Sequence, residues 1–180
     1  MFFSLSDQLT KFLRFFASPV QTIFIVVFIL INGTLFYSAQ DKQVSGEMLS
    51  SVYHQAADGQ RYWAVARNLI DKQEFSIPKK YFSKDQKEDA PLARAGPIPA
   101  LFLSLPIWLV GFSNAPSMIV FMQCTLLFLM GFSARYLIEP FQGNKNLVQA
   151  LVIFNPNLIG SSHLAQSDLL FAFFLCLCLL

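Results

Sequence analysis

Two long stretches of this chain carry no charge at all, Phe15 to Gln40 and Ala95 to Ala134. They constrain the fold more than any other feature. As a helix, Pro19 to Ser38 alone would be roughly 30 Å long at ~1.5 Å per residue, which matches the hydrocarbon thickness of a bilayer. Lipid offers no partner to backbone N–H and C=O groups, so a segment that crosses it must satisfy them internally as a helix. The expected fold class is therefore all-α, a polytopic transmembrane helical protein whose first outer loop carries an amphipathic interfacial helix. Composition agrees, with 54% hydrophobic and 13% charged residues and 20 phenylalanines. A net charge of +2, dispersed along the chain, argues against nucleic acid as a partner and leaves membrane lipids as the surroundings.

Charge and turn signals divide the chain. Lys11 and Arg14 precede the first apolar run, and no small-residue cleavage signal follows it, so residues 1–18 are expected in the cytoplasm with 19–38 as an uncleaved transmembrane anchor. Residues 39–98 hold nine of the thirteen basic and eight of the eleven acidic residues, and read as an outer loop. Residues 97–112 are proline-rich and short for a span, leaving an interfacial or a short transmembrane helix. Charge bias favours the interface, because that choice puts Arg135 and Lys145 inside. The turn signal at Gly111, Asn114 and Pro116 then gives way to a transmembrane helix over 117–137. Another is expected over 147–161, interrupted by "NPN" at 155–157. The run from 168 to 180 begins a further span and is too short to complete it, which suggests an N-terminal piece of a longer protein, inactive by itself. The cysteines Cys124, Cys176 and Cys178 all sit in apolar runs, as packing residues do. The expected location is a bacterial inner membrane, with several crossings.

Within the outer loop, "ADGQRYWAVARNLI" (57–70) has helical periodicity. Tyr62, Ala66, Leu69 and Ile70 fall on one side, and Gln60, Arg61, Arg67, Asn68 and Asp71 on the other. Such a helix, near 58–71, would lie on the membrane with Trp63 at headgroup level. Asp58 at its start can cap free N–H groups and complement the helix dipole. It can equally serve chemistry. His163, Gln166 and Asp168 are close enough in sequence to line one polar patch, and an ionisable residue at a membrane boundary is a functional candidate by default. Two histidines form no zinc pattern, and no Walker, G-x-S-x-G or H-E-x-x-H motif occurs.

Taken in order, "D-G-x-x-Y-x-x-x-A-x-N-L-I" (58–70), "R-A-G-P-I-P-A-L-F-L" (94–103) and "N-P-N-L-I-G-S-S-H-L-A-Q-S-D-L-L-F" (155–171) resemble the N-terminal part of C-type polytopic glycosyltransferases. The resemblance is to the bacterial branch related to dolichyl-phosphate-mannose protein mannosyltransferases and lipid A aminoarabinose transferases. It implies transfer of a sugar from a polyprenyl-phosphate-linked donor to a lipid, glycan or protein acceptor on the outer face. The essential acidic residue of the first outer loop would be Asp58. The family often has a second acidic residue beside it, where this chain has Gly59. Asp58 would act as general base on the acceptor. The leaving phosphate calls for cations, here Arg61 and Arg94, with Tyr62, His163, Gln166 and Asp168 completing a substrate-binding set. No cofactor is obligatory; a divalent metal between Asp58 and Asp168 is compatible with the same residues. The alternative is a small non-enzymatic assembly or transport subunit whose outer loop binds a partner and whose Asp58 is only a helix cap.

Overall fold

The computed structural model describes residues 18–40, 57–77, 90–91, 97–163 and 168–179, with the backbone alone for 38–40, 57–61, 77 and 90–91. It is helical apart from one short antiparallel bridge, so the all-α expectation holds. Among the described residues, two helices are long and apolar enough to cross a membrane, judged by length and composition.

Helix α1 spans Pro19–Gln40. Ser18 starts it: its carbonyl accepts from Thr22 N–H at 3.0 Å, its hydroxyl oxygen from Gln21 N–H at 3.4 Å. Pro19 occupies the first helical position, where its missing N–H removes nothing. The interior polar groups bond backward along the same helix, Asn32 Nδ2 to the Phe28 carbonyl at 2.9 Å and Thr34 Oγ1 to that of Leu30 at 2.7 Å. No outside donor or acceptor is needed for those contacts, which suits a helix in a non-hydrogen-bonding solvent.

Chain contacts group residues 36–180 into one compact unit, and the remaining elements belong to it. Helix α2 covers Ala57–Lys72, and strands β1 (Ser76–Ile77) and β2 (Ala90–Pro91) pair antiparallel. Helix α3 runs from Pro97 to Leu137, a 3₁₀ turn from Glu139 to Phe141, α4 from Lys145 to Ile153, α5 from Pro156 to Ser162, and α6 from Asp168 to Cys178.

Helix α3 is broken at Gly111, where φ is 76° and ψ is 167°. That region of backbone space is essentially open to glycine alone. The sequence placed a turn over Gly111 to Pro116, whereas the helix resumes at once. Asn114 explains part of this, since its side-chain amide donates to the Val110 carbonyl at 3.4 Å and so covers an acceptor released by the break. Pro116 is the fifth residue of the resumed helix, just past the N–H groups that have no intrahelical partner, so it leaves one carbonyl, that of Phe112, without its usual helical donor.

The interruption expected at "NPN" is present. Asn155 Oδ1 accepts from Asn157 N–H at 2.9 Å and Leu158 N–H at 3.2 Å, and Pro156 opens α5. The expected segment 147–161 is thus two short helices, of 9 and 7 residues, each covering only ~10–14 Å at ~1.5 Å per residue. Asn144 caps α4 in the same manner, its Oδ1 accepting from Leu147 N–H at 3.1 Å. Helices α3 and α4 approach closely at Gly131, where a Cβ would lie 2.3 Å from Cγ2 of the buried Ile153.

Candidate functional site

Helix α2 is the element on which the sequence placed its main candidate, Asp58. The helix begins at Ala57, which sets Asp58 at the second helical position rather than at the cap. A carboxylate in the first turn still complements the helix dipole. The side chains of Asp58 and Arg61 are not among the described atoms.

From Tyr62 onward the packing is clear. Ala66 joins Leu103, Ile107, Ala115, Ile119 and Val120 in one buried cluster, with Tyr62, Trp63, Ile70 and Phe112 packed around it. Phe112 follows directly on the break at Gly111, and α2 grips its ring from two sides. The Trp63 ring meets it nearly edge-on, with centroids 6.0 Å apart. The Arg67 guanidinium lies 5.1 Å from its centroid, a distance at which the ring quadrupole attracts a cation. Arg67 also pairs with Asp71 at 3.4 Å on the exposed side of α2.

Two expectations for α2 change. Its apolar side is covered by α3, so that side does not lie on a membrane surface, and Trp63 sits against Phe112. Asn68, expected on the outward side with Arg67, is buried. Its Nδ2 donates to the Ser76 carbonyl at 3.1 Å and lies 3.0 Å from the Ser76 hydroxyl, fastening β1 back onto the helix. Ala64 and Val65 are buried as well. Among its described side chains, those of Arg67, Asp71 and Lys72 are exposed.

The second candidate patch lies around the end of α5. His163 is its C-cap, with its N–H directed to the Gly160 carbonyl at 3.1 Å. Burial holds the His163 imidazole below its usual pKa, because desolvation disfavours the charged form. Its neighbour Ser162 is buried, donates its hydroxyl to the Ile159 carbonyl at 2.7 Å, and lies 3.6 Å from Cys124 Sγ. With the hydroxyl hydrogen so used, the Cys124 thiol is the donor to Ser162 Oγ. Cys124 is therefore a packing and bonding residue, as expected; Cys178, by contrast, is exposed. Asp168 is exposed in the first turn of α6. Arg94 and Gln166 lie outside the described residues.

Tyr62 and the pair His163 and Asp168 thus occupy separate elements, α2 and the α5 to α6 connection. The residues that sequence reading did not single out are Phe112 and the buried Asn68. Phe112 had a signal in its position after a turn glycine; Asn68 had none, since its burial depends on a strand eight residues away. Comparison with protein-family models, with curated proteins and with solved structures found no match to this chain.

Proposed function

We propose that this chain belongs to a polytopic C-type glycosyltransferase that uses a polyprenyl-phosphate-linked sugar on the outer face of a bacterial inner membrane. Asp58 is the general base that takes the proton of the acceptor hydroxyl or amine. Arg61 and Arg94 balance the charge growing on the departing phosphate. His163, Gln166 and Asp168 hold the acceptor, and the N-terminus is cytoplasmic.

The observation that carries this reading is the anchoring of α2. A general base works only if its position is fixed to within a fraction of an ångström. Asp58 stands in the first turn of a helix that is held along the following turns by Tyr62, Trp63, Ala66 and Arg67, all packed against a long apolar helix. The order of the three sequence motifs supports the same reading. So does the outward apolar surface: Ile23, Ile29 and Leu30 of α1 are about 60% exposed, as side chains that face acyl chains are.

The test is genetic and chemical. Deleting the gene in its own host should make a polyprenyl-phosphate sugar accumulate, detected by mass spectrometry of the lipid extract. The intact protein should clear it, and the Asp58→Asn variant should not, despite normal membrane levels, because Asn matches Asp in size and α2 is held from Tyr62 onward by its packing on the long apolar helix. Full clearance by Asp58→Asn would remove Asp58 from catalysis, and no accumulation on deletion would favour the partner-binding subunit.

A further inference from the structure

The first section of α3, residues 97–110, has no polar side anywhere. One side is buried, through Ala100, Leu103 and Ile107; the other exposes Ile98, Leu101, Leu105, Trp108 and Leu109, from 45% for Leu105 to 72% for Trp108. The helical angles of these two sets lie on opposite sides of the axis. The one hydroxyl in the section, Ser104, is buried and donates to the Leu101 carbonyl at 2.8 Å. A lone helix at a membrane surface needs a charged or polar side toward water, and this one lacks it.

The missing polar side is supplied by α2. Ala66 of α2 packs on Leu103 and Ile107, the buried side of 97–110, while Arg67 and Asp71 of α2 remain exposed. The two helices are also tied at their ends, since β1 follows α2, β2 precedes α3, and the strands pair. Neither helix is complete as a membrane-surface element, but the pair is. Length gives the same answer: at ~1.5 Å per residue, the 41 residues of α3 would reach roughly 60 Å if straight, twice the hydrocarbon thickness. The break at Gly111 frees the first section from having to continue the line of the second.

We infer that α2 and residues 97–110 form a two-layer unit at the membrane surface, with α2 toward water and the Ile98, Leu101, Leu105, Trp108 side sunk among acyl chains. The occupant of that side is lipid rather than another helix. Helix contacts inside membranes favour small residues, and the small residues of this section, Ala100 and Ser104, face the protein instead. This inference rests on the membrane location proposed above and is independent of sugar transfer.

The experiment is site-directed spin labelling of the full protein in phospholipid nanodiscs, with Cys124, Cys176 and Cys178 replaced by serine. Nitroxides are placed at Leu101, Leu105 and, as the water-side reference, Lys72. Molecular oxygen concentrates in hydrocarbon and a water-soluble nickel(II) chelate is excluded from it. Labels at 101 and 105 should show a raised ratio of oxygen to nickel accessibility compared with the label at 72. Ready nickel access at 101 and 105 would overturn the inference, as would low accessibility to both agents, which marks cover by protein. A photoreactive benzophenone residue at Leu105, in protein with its cysteines intact, reads the same point. Crosslinks to phospholipid support the inference, and crosslinks to protein alone overturn it. Loss of lipid contact would leave the Asp58→Asn result unaffected, so the two readings fail separately.

Discussion

Helices α1 and α3 look alike as sequence and differ as structure. Both are uncharged over a membrane's thickness or more, yet 17% of the most apolar stretch is buried in α1 against 44% in α3. Helix α1 is unbroken, and its Asn32 and Thr34 side chains each donate to a carbonyl one turn back on the same helix. Helix α3 is interrupted at Gly111 and touches α2, α4, α5 and α6. Hydropathy is thus a statement about solvent, and packing depends on where small residues and breaks are placed. A uniform helix such as α1 can be a passive anchor. A punctuated one can organise its neighbours.

The largest test of that contrast is at Gly111. No atom lies within 4 Å of a Cβ built there, so any penalty to alanine comes from backbone conformation alone. A residue forced into this glycine-only region costs about 3 kcal/mol. Gly111→Ala should therefore either lower the unfolding midpoint in detergent substantially or relieve the strain by straightening α3. Straightening would carry Phe112 away from Trp63 and show as a change in Trp63 fluorescence. A variant with wild-type stability and an unchanged Trp63 environment would show that the break does not organise the contact with α2.

A paired substitution sharpens the comparison further, because the same change should have opposite signs in the two helices. Gly131→Ala in α3 sets a methyl 2.3 Å from Cγ2 of Ile153, in a region with no room to yield. Overpacking of this kind costs about 2 kcal/mol, partly offset by the better helix propensity of alanine. Gly33→Ala in α1 meets nothing within 4 Å and should gain up to ~1 kcal/mol from propensity. Thermal unfolding of both variants in one detergent decides the matter. Equal shifts would mean that α1 is packed as tightly as α3.

Much of this contrast can be read in the residues. The charge-free runs mark both long helices, Gly111 marks the break within one residue, and Asn-Pro at 155–156 marks a new helix start by supplying a capping oxygen and a preset φ. The helix carrying Asp58 is also legible, with its start displaced by one residue. What the residues do not reveal is which side of that helix the protein covers. Its periodicity puts Asn68 among the outward polar positions, although Asn68 is buried against Ser76, and it is silent on Phe112, whose ring meets Trp63 and Arg67 just after a backbone break. The candidate residues of the C-terminal part, His163 and Asp168, are near in sequence, but no periodic pattern joins them to Asp58.

The smallest expected effect concerns acidity, and it too separates the two regions. Among the described residues α1 has no ionisable side chain except Tyr37, so its stability should be flat from neutral to mildly acidic pH. The α5 end carries His163, whose imidazole is half-buried and held below its usual pKa by desolvation. The unfolded chain then binds a proton more readily than the folded one. The stability this contributes is complete above the unfolded value near ~6.5 and declines as pH falls through the folded value. Substituting His163→Gln should flatten that decline, measured as the change in unfolding midpoint between neutral and mildly acidic buffer. An identical slope in His163→Gln would mean that the imidazole at the end of α5 is as well solvated as in the unfolded chain, and that the acid response arises elsewhere.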